Sequence, residues 1–489
     1  MSVTPFYVAG RPEHGTAPLV VCSPFDGREA GRTSHAGPEQ VERAVAAAAA
    51  AAADTAALPA HARAAALDHV SRRLAERAEE AAALITAESG KPVRWARVEV
   101  TRAVSTLRWA AEEARRFSGE LQRLDTDPAA AAAPPPGSGR AAGTGRIAVV
   151  RRFPRGPVLG ITPFNFPLNL VAHKVAPALA VGAPIVVKPA PATPLSALLL
   201  GELLAETDLP AGAWSVLPLP NAQAEQLVAD PRLPVVSFTG SGPVGQRIRR
   251  AVPDKHVTLE LGGNAAAVVC ADYPDLAWAA ERIAVFGTYQ GGQSCIAVQR
   301  VFVAGSRCAE FVALLVDAVG RLRTGDPADP DTDVGPLIGE DAARRVEEWV
   351  AEAVAAGARV LTDGRRDGAQ VPPTVLTDVP REARVSAEEV FGPVLVVTPV
   401  PDDEAAFAAV NDSAYGLQAG VFTRDLGTAF RAHRVLQVGG VIVGDVPAYR
   451  ADQMPYGGVK GSGVGREGVR SAMEDYTEPR VLVLTAVDL

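Results

Sequence analysis

Gly291-Gly292-Gln293-Ser294-Cys295 places a thiol after a run in which Gly291, Gly292 and Ser294 are small. That leaves room beside the sulfur for a reacting carbonyl compound and a flat cofactor ring. A cysteine attacks a carbonyl carbon only as its thiolate. The oxyanion then formed needs hydrogen-bond donors, and a thioester left on the sulfur needs a general base to deliver water. Alone, such a cysteine is more often a small core hydrophobe.

Four further stretches accompany it: Thr162-Pro163-Phe164-Asn165-Phe166-Pro167, Phe238-Thr239-Gly240-Ser241-Gly242 with Gly245 beyond, Leu259-Glu260-Leu261-Gly262-Gly263, and Glu388-Glu389-Val390-Phe391-Gly392-Pro393. At these residues, in this order and over nearly the whole chain, the sequence resembles the aldehyde dehydrogenase superfamily. The resemblance implies that Cys295 is the nucleophile and that Glu260 is the base that hydrolyses the thioester. It assigns the oxyanion to the side-chain amide of Asn165 and the backbone N–H of Cys295. It also implies oxidation of an aldehyde to a carboxylate through a thiohemiacetal, with hydride passing to NAD or NADP.

The cofactor residues implied are Thr162, Pro163, Phe164, Lys188, Pro191, Phe238, Gly240, Ser241, Leu261, Gly262, Glu389 and Phe391. Among them, Lys188 is expected on the adenosine ribose and Ser241 with the following helix N-terminus on the pyrophosphate, since helix N-termini favour anions. Glu389 is expected on the nicotinamide ribose, with Phe391 beside the ring. The turn does not match G-x-G-x-x-G, a fingerprint this family does not use. Pro191 stands where NAD-preferring relatives often carry a ribose-binding glutamate, so NAD and NADP both stay open. Phe164 stands where tryptophan is commoner.

Relatives that transfer the acyl group to coenzyme A commonly lack the glutamate, so Glu260 favours hydrolysis. A silent binding relative is the alternative from another class, and intact Cys295, Glu260 and Asn165 argue against it.

Three positions that face the substrate channel in relatives hold potentially cationic residues here: Arg102, His173 and Arg450. Guanidinium groups match oxyanions in bidentate fashion. They predict an aldehyde with an anionic far end, a phosphonate or phosphate before a carboxylate; phosphonoacetaldehyde and phosphonoformaldehyde are the first choices. The closing stretch Met454–Arg480 resembles the lactaldehyde and phosphonoaldehyde branch, and glyceraldehyde 3-phosphate or a semialdehyde are alternatives. Against this, Arg102 and Arg450 could pair with carboxylates such as Asp452 or Glu99, and His173 could be a core histidine. Ser294 occupies the place where some phosphate-recognising relatives carry arginine.

Elements must hold these residues in place. Apolar spacing predicts helices from Pro38 to Gly119, with a stop at Gly90-Lys91-Pro92 and a helix over Val93–Phe117. Asp127–Gly145 is Ala-, Pro- and Gly-rich, a linker by composition. Beyond it short apolar strands at Ile147–Arg152, Pro157–Thr162, Pro184–Val187, Trp214–Leu217 and Val235–Phe238 alternate with helices at Leu168–Val181 and Pro194–Thr207. This pattern predicts a parallel sheet covered on both faces. Pro479–Thr485 reads as an edge strand.

The fold expected is α/β and aldehyde dehydrogenase-like. A Rossmann-type nucleotide-binding domain spans 1–122 and 151–259, and an α/β catalytic domain 260–468. A small β oligomerisation arm comprises 123–150 and 469–489, which implies a homodimer or homotetramer.

At 489 residues the chain is too long for one ordinary core. A net charge of -8 argues against nucleic acid or an anionic membrane as partner. Cys22, Cys270, Cys295 and Cys308 form no disulfide framework, no apolar stretch reads as a membrane span, and the N-terminus shows no secretion signal. A cytoplasmic enzyme without a metal site is expected.

Overall fold

Alanine dominates the first helices, and small side chains let helix backbones approach closely. Pro38–Ala57, Ala60–Glu76 and Ala78–Ser89 are helical, and Gly90 ends the third at φ +72°. Val93–Arg116 follows as predicted. Its Ala96, Val100, Ala103, Leu107, Ala110 and Ala114 form one buried stripe, packed on Ala60–Glu76 and Asn169–Val181. The computed structural model describes residues 3–124, 126 and 146–484. The linker expected at Asp127–Gly145 lies outside the described residues.

Five parallel strands form the centre of the first sheet, in the order His256–Glu260, Val235–Thr239, Val158–Ile161, Ile185–Lys188, Trp214–Val216. Most of their side chains are buried, as expected where helices cover both faces. Gly463–Val464 adds an antiparallel strand at one edge, and the hairpin Phe6–Val8 with Arg11–Glu13 extends the other. That N-terminal hairpin is absent from the sequence reading; its strands are only three residues each. From Val158–Ile161 the chain builds the sheet first one way and later the other. The carboxyl ends of Val158–Ile161 and Val235–Thr239 therefore flank a switch point, where ligands bind in open α/β sheets.

A second sheet runs Arg359–Val360, Thr374–Thr377, Val394–Val400, Arg300–Ala304, Ala266–Val269, Gln418–Phe422, Gly440–Val443, all parallel except the first. A third, antiparallel sheet has Ile147–Pro154 between Glu120–Arg123 and Thr477–Leu484. The terminal strand is an edge strand, as its sequence suggests, and its inner neighbour comes from the same chain.

The boundaries differ from the expected division in two places. The helix Val469–Asp475, placed with the arm by sequence, buries Val469, Ala472 and Met473 in the core of the first sheet. Gly463–Val464, placed with the catalytic domain, hydrogen-bonds to that same sheet. The returning chain thus supplies an edge partner for the strand that ends in Glu260 and a helix that packs on Asn169–Val181 and Val93–Arg116. Among the described residues, no helix is long and apolar enough to cross a membrane.

Candidate active site

Cys295 lies just past the helix Leu276–Thr288, beyond a turn in which Gln290, Gly291 and Gly292 all have positive φ (44°, 68° and 71°). Glycine adopts this region freely. A methyl group on Gly292 would also lie 2.7 Å from Pro393 N and collide with the Gly392 carbonyl. The E-E-V-F-G-P segment thus backs directly against the cysteine turn. Gln290 Nε2 and Asn165 Nδ2 both donate to the Gln293 carbonyl, each at 2.9 Å. Asn165 is thereby fixed beside the cysteine loop.

Glu260 ends its strand one residue before the Leu261-Gly262-Gly263 turn, paired with Thr239 and Gly463. Its carboxylate is buried and neither oxygen has a hydrogen-bond partner. Burial, and then the neighbouring Glu467 carboxylate, push its pKa well above the ordinary carboxylate value, against the opposing pull of Arg450 and Lys174. Gly457 makes room for it: a methyl group there would lie 2.8 Å from Glu260 Oε1.

The thiol is partly exposed among buried neighbours. Its Sγ lies 3.1 Å from the hydroxyl of Tyr456, which lies in the stretch Met454–Arg480 and has no role in the sequence reading. Burial pushes the thiol up to about 12, and the Tyr456 hydrogen bond opposes this. Ser294 Oγ accepts from the Tyr289 hydroxyl at 2.8 Å.

Arg102, His173 and Arg450 come together from distant segments, and burial with the neighbouring Arg450 guanidinium lowers the His173 pKa. Arg450 Nη2 is 3.3 Å from His173 Nε2 and 3.0 Å from Glu467 Oε2. His173 Nε2 is 3.1 Å from Asp452 Oδ1, the same oxygen that Arg102 Nη2 reaches at 2.8 Å. Convergence and carboxylate pairing thus both hold. Of the two candidate carboxylates, Asp452 is the partner and Glu99 is not; Glu99 is bound by buried Lys91 and caps the backbone N–H groups of Leu168 and Asn169. Lys174, next to His173, reaches Glu467 at 3.3 Å and the hydroxyls of Ser237 and Thr239 at 3.0 and 2.8 Å. Arg102 Nε, His173 Nδ1 and Arg450 Nε are all buried without a hydrogen-bond partner.

Cofactor candidates line the switch point. Thr162 follows Val158–Ile161, and its buried Oγ1 has no partner. Phe238 and Gly240 close the neighbouring strand, and Ser241 precedes the helix Gly242–Ala251 without capping it by side chain. The N–H groups of that first turn are therefore available to an anion. Lys188 Nζ donates to Asn221 Oδ1 at 2.6 Å, and burial lowers its pKa to about 8. Pro191 lies three residues on, half-buried. Across the crevice Glu389 Oε1 accepts the Gly263 N–H at 2.9 Å, and a side chain on Gly262 would strike the same carboxylate. Phe391 meets Phe164 edge to face, centroids 5.9 Å apart. Pro163 lies between Thr162 and Phe164, and Leu261 N is held by the Ser462 carbonyl at 2.9 Å. An unpartnered hydroxyl, a cation and an open helix N-terminus suit a dinucleotide. Among the described residues no three His, Cys, Asp or Glu side chains gather as a metal site would need.

The sequence model of the aldehyde dehydrogenase family matches residues 11–482. The chain belongs to the aldehyde dehydrogenase family.

Among its relatives in this family is 3-sulfolactaldehyde dehydrogenase of Priestia aryabhattai, 41% identical over 98% of this chain and 97% of the relative. Aldehyde dehydrogenase 21 of Physcomitrella patens, solved in complex with its reaction product succinate, is 44% identical with a TM-score of 0.94, covering 100% of this chain and 99% of that one. The NADP-dependent glyceraldehyde-3-phosphate dehydrogenase of Bacillus halodurans, solved with NADP, is 34% identical with a TM-score of 0.92, covering 99% and 100%. The two solved structures share the α/β architecture described above.

Proposed function

We propose that this enzyme oxidises a short aldehyde carrying one negative charge at its far end to the carboxylate, using NAD or NADP. The observation that carries the reading is the cluster of Arg102, His173 and Arg450, where three buried nitrogens lack partners. The Arg102 and Arg450 Nε–H groups are donors, costly to bury unpaired, and a bound oxyanion would satisfy them. Charge sets the valence. Arg102, Arg450 and Lys174 share two carboxylates, Asp452 and Glu467. Three cations against two carboxylates leave one positive charge over in this cluster. That matches a monoanion, a sulfonate or carboxylate, better than the phosphonate dianion favoured by sequence. Relatives named for 3-sulfolactaldehyde and a complex with succinate support it.

Cys295, as thiolate, bonds to the aldehyde carbon while the carbonyl electron pair moves to oxygen. Asn165 carries two amide hydrogens; one holds the Gln293 carbonyl, and the other, with the Cys295 backbone N–H, is the oxyanion donor in this reading. The bound nicotinamide serves as hydride acceptor. Glu260, ionised, takes a proton from water as the oxygen attacks the thioester and the C–S bond breaks. Lys188 and the helix start after Ser241 hold the dinucleotide, with Glu389 on the nicotinamide side.

The test is initial-rate cofactor reduction with sulfo-, carboxy- and phosphonoaldehydes of matched length beside neutral aldehydes. Monoanions should have the highest kcat/KM. Equal rates on neutral aldehydes would overturn the anionic reading.

A further inference from the structure

Proteins acidify a thiol with a neighbouring imidazolium, lysine or arginine, or with a helix N-terminus. Among the described residues Cys295 has none of these in hydrogen-bond contact. The groups that face it are the Tyr456 hydroxyl, the carboxylates of Glu389 and Glu260, the more distant Arg450, and Tyr289 from its own loop. Both carboxylates, when ionised, oppose a thiolate. The Tyr289 hydroxyl is committed to Ser294. Among the described residues Tyr456 alone reaches the sulfur by a hydrogen bond, at 3.1 Å.

We propose that Tyr456 is a catalytic residue of this enzyme: its phenol O–H donates to the Cys295 thiolate and sets how much of the nucleophile is ionised, with Arg450 strengthening that donor through the ring face.

Three features fit. The ring is fixed, because Tyr456 and Glu467 exchange backbone hydrogen bonds of 2.9 and 2.6 Å. The Arg450 guanidinium lies over the ring, 3.8 Å from its centroid, and is held there by Glu467 at 3.0 Å. A cation on the face of a phenol draws electron density from it and makes the O–H a better donor. Tyr456 also keeps its proton, since burial and the adjoining sulfur both hold its pKa well above 10. The step balances simply. The S–H bond breaks and its proton leaves to water. The sulfur pair then forms the S–C bond, and Tyr456 neither gains nor loses a proton. Stabilising a thiolate also blunts it, but nucleophilicity falls less steeply than ionisation rises, so the net effect near neutral pH is acceleration.

The experiment is the rate at which iodoacetamide alkylates Cys295 in the full-length enzyme, followed on the Cys295 peptide by mass spectrometry from pH 6 to 10. Y456F removes one oxygen and keeps the ring. It should slow alkylation across this range about tenfold, the scale of one hydrogen bond to an ionised group. Replacing Tyr456 by 3-fluorotyrosine, a better donor with the same shape, should speed it. It also keeps the test decisive if Y456F folds poorly. An unchanged rate in the fluorotyrosine enzyme, or a faster one in Y456F, would overturn the proposal. Aldehyde preference does not enter this measurement, so the result is independent of the substrate reading.

Discussion

Arg102 Nη2 and Asp452 Oδ1 meet at 2.8 Å although 350 residues separate them in the chain. Asp452 also takes His173, and its carboxyl is held at low pKa by these two partners despite burial. One carboxylate thus orients two of the three groups that would grip an anionic substrate. Arg102→Ala removes a cation and leaves Asp452 facing the channel unbalanced. The expected loss in kcat/KM is about 2–5 kcal/mol for anionic aldehydes, with a much smaller loss for neutral ones. Equal losses on both classes would assign Arg102 to structure alone.

In the proposed mechanism Glu260 gives the reaction its pH dependence. Its folded pKa is raised, so the carboxyl stays protonated, and useless as a base, well above the pH at which a free glutamate ionises. Turnover should therefore climb as pH rises through the raised pKa and fade below it. Glu260→Gln should abolish that limb and lower steady-state turnover by about 10²–10⁴. A stopped-flow burst near one reduced cofactor per site should survive, since thioester formation precedes the water step. Loss of the burst along with turnover would place Glu260 in thiol activation instead.

Much of this was legible in the sequence because the pertinent residues sit in local motifs. Small residues and positive φ surround Cys295, and runs such as Ile185–Lys188 are buried throughout, so they read as strands. Long-range pairing was not legible. Arg102 was placed on the channel, yet whether it meets Asp452 or Glu99 depends on helix packing that local patterns do not encode. Tyr456 was overlooked because an aromatic beside Gly457-Gly458 reads as core; only the fold carries its hydroxyl to the sulfur. The N-terminal strands were missed because three residues leave too little periodicity to detect.

The strand Thr477–Leu484 leaves Val481, Leu482 and Val483 with 62%, 56% and 48% of their surface exposed. Its outer edge is unpaired within the described chain. An apolar open edge invites another strand, so we expect a homo-oligomer assembled through this arm. Val481→Lys with Val483→Lys should shift the species seen by light scattering to a smaller one without unfolding the subunit. An unchanged mass would place the interface elsewhere.

We expect Lys188 and Pro191 together to set the cofactor preference. Burial lowers the lysine to about 8, so its positive charge fades as pH rises through that value. A 2′-phosphate gains more from that charge than a ribose hydroxyl does. KM for NADP should thus rise relative to KM for NAD above about pH 8. Pro191→Glu supplies the missing carboxylate three residues from the lysine. A carboxylate there repels the phosphate and accepts from ribose hydroxyls, so NADP use should fall by about tenfold or more, ~1.4 kcal/mol, while NAD use holds or improves. Paired titrations of the two cofactors in wild type and variant measure both effects. If the substitution leaves the NADP-to-NAD ratio where it was, the phosphate lies away from position 191 and Lys188 alone does not set the preference.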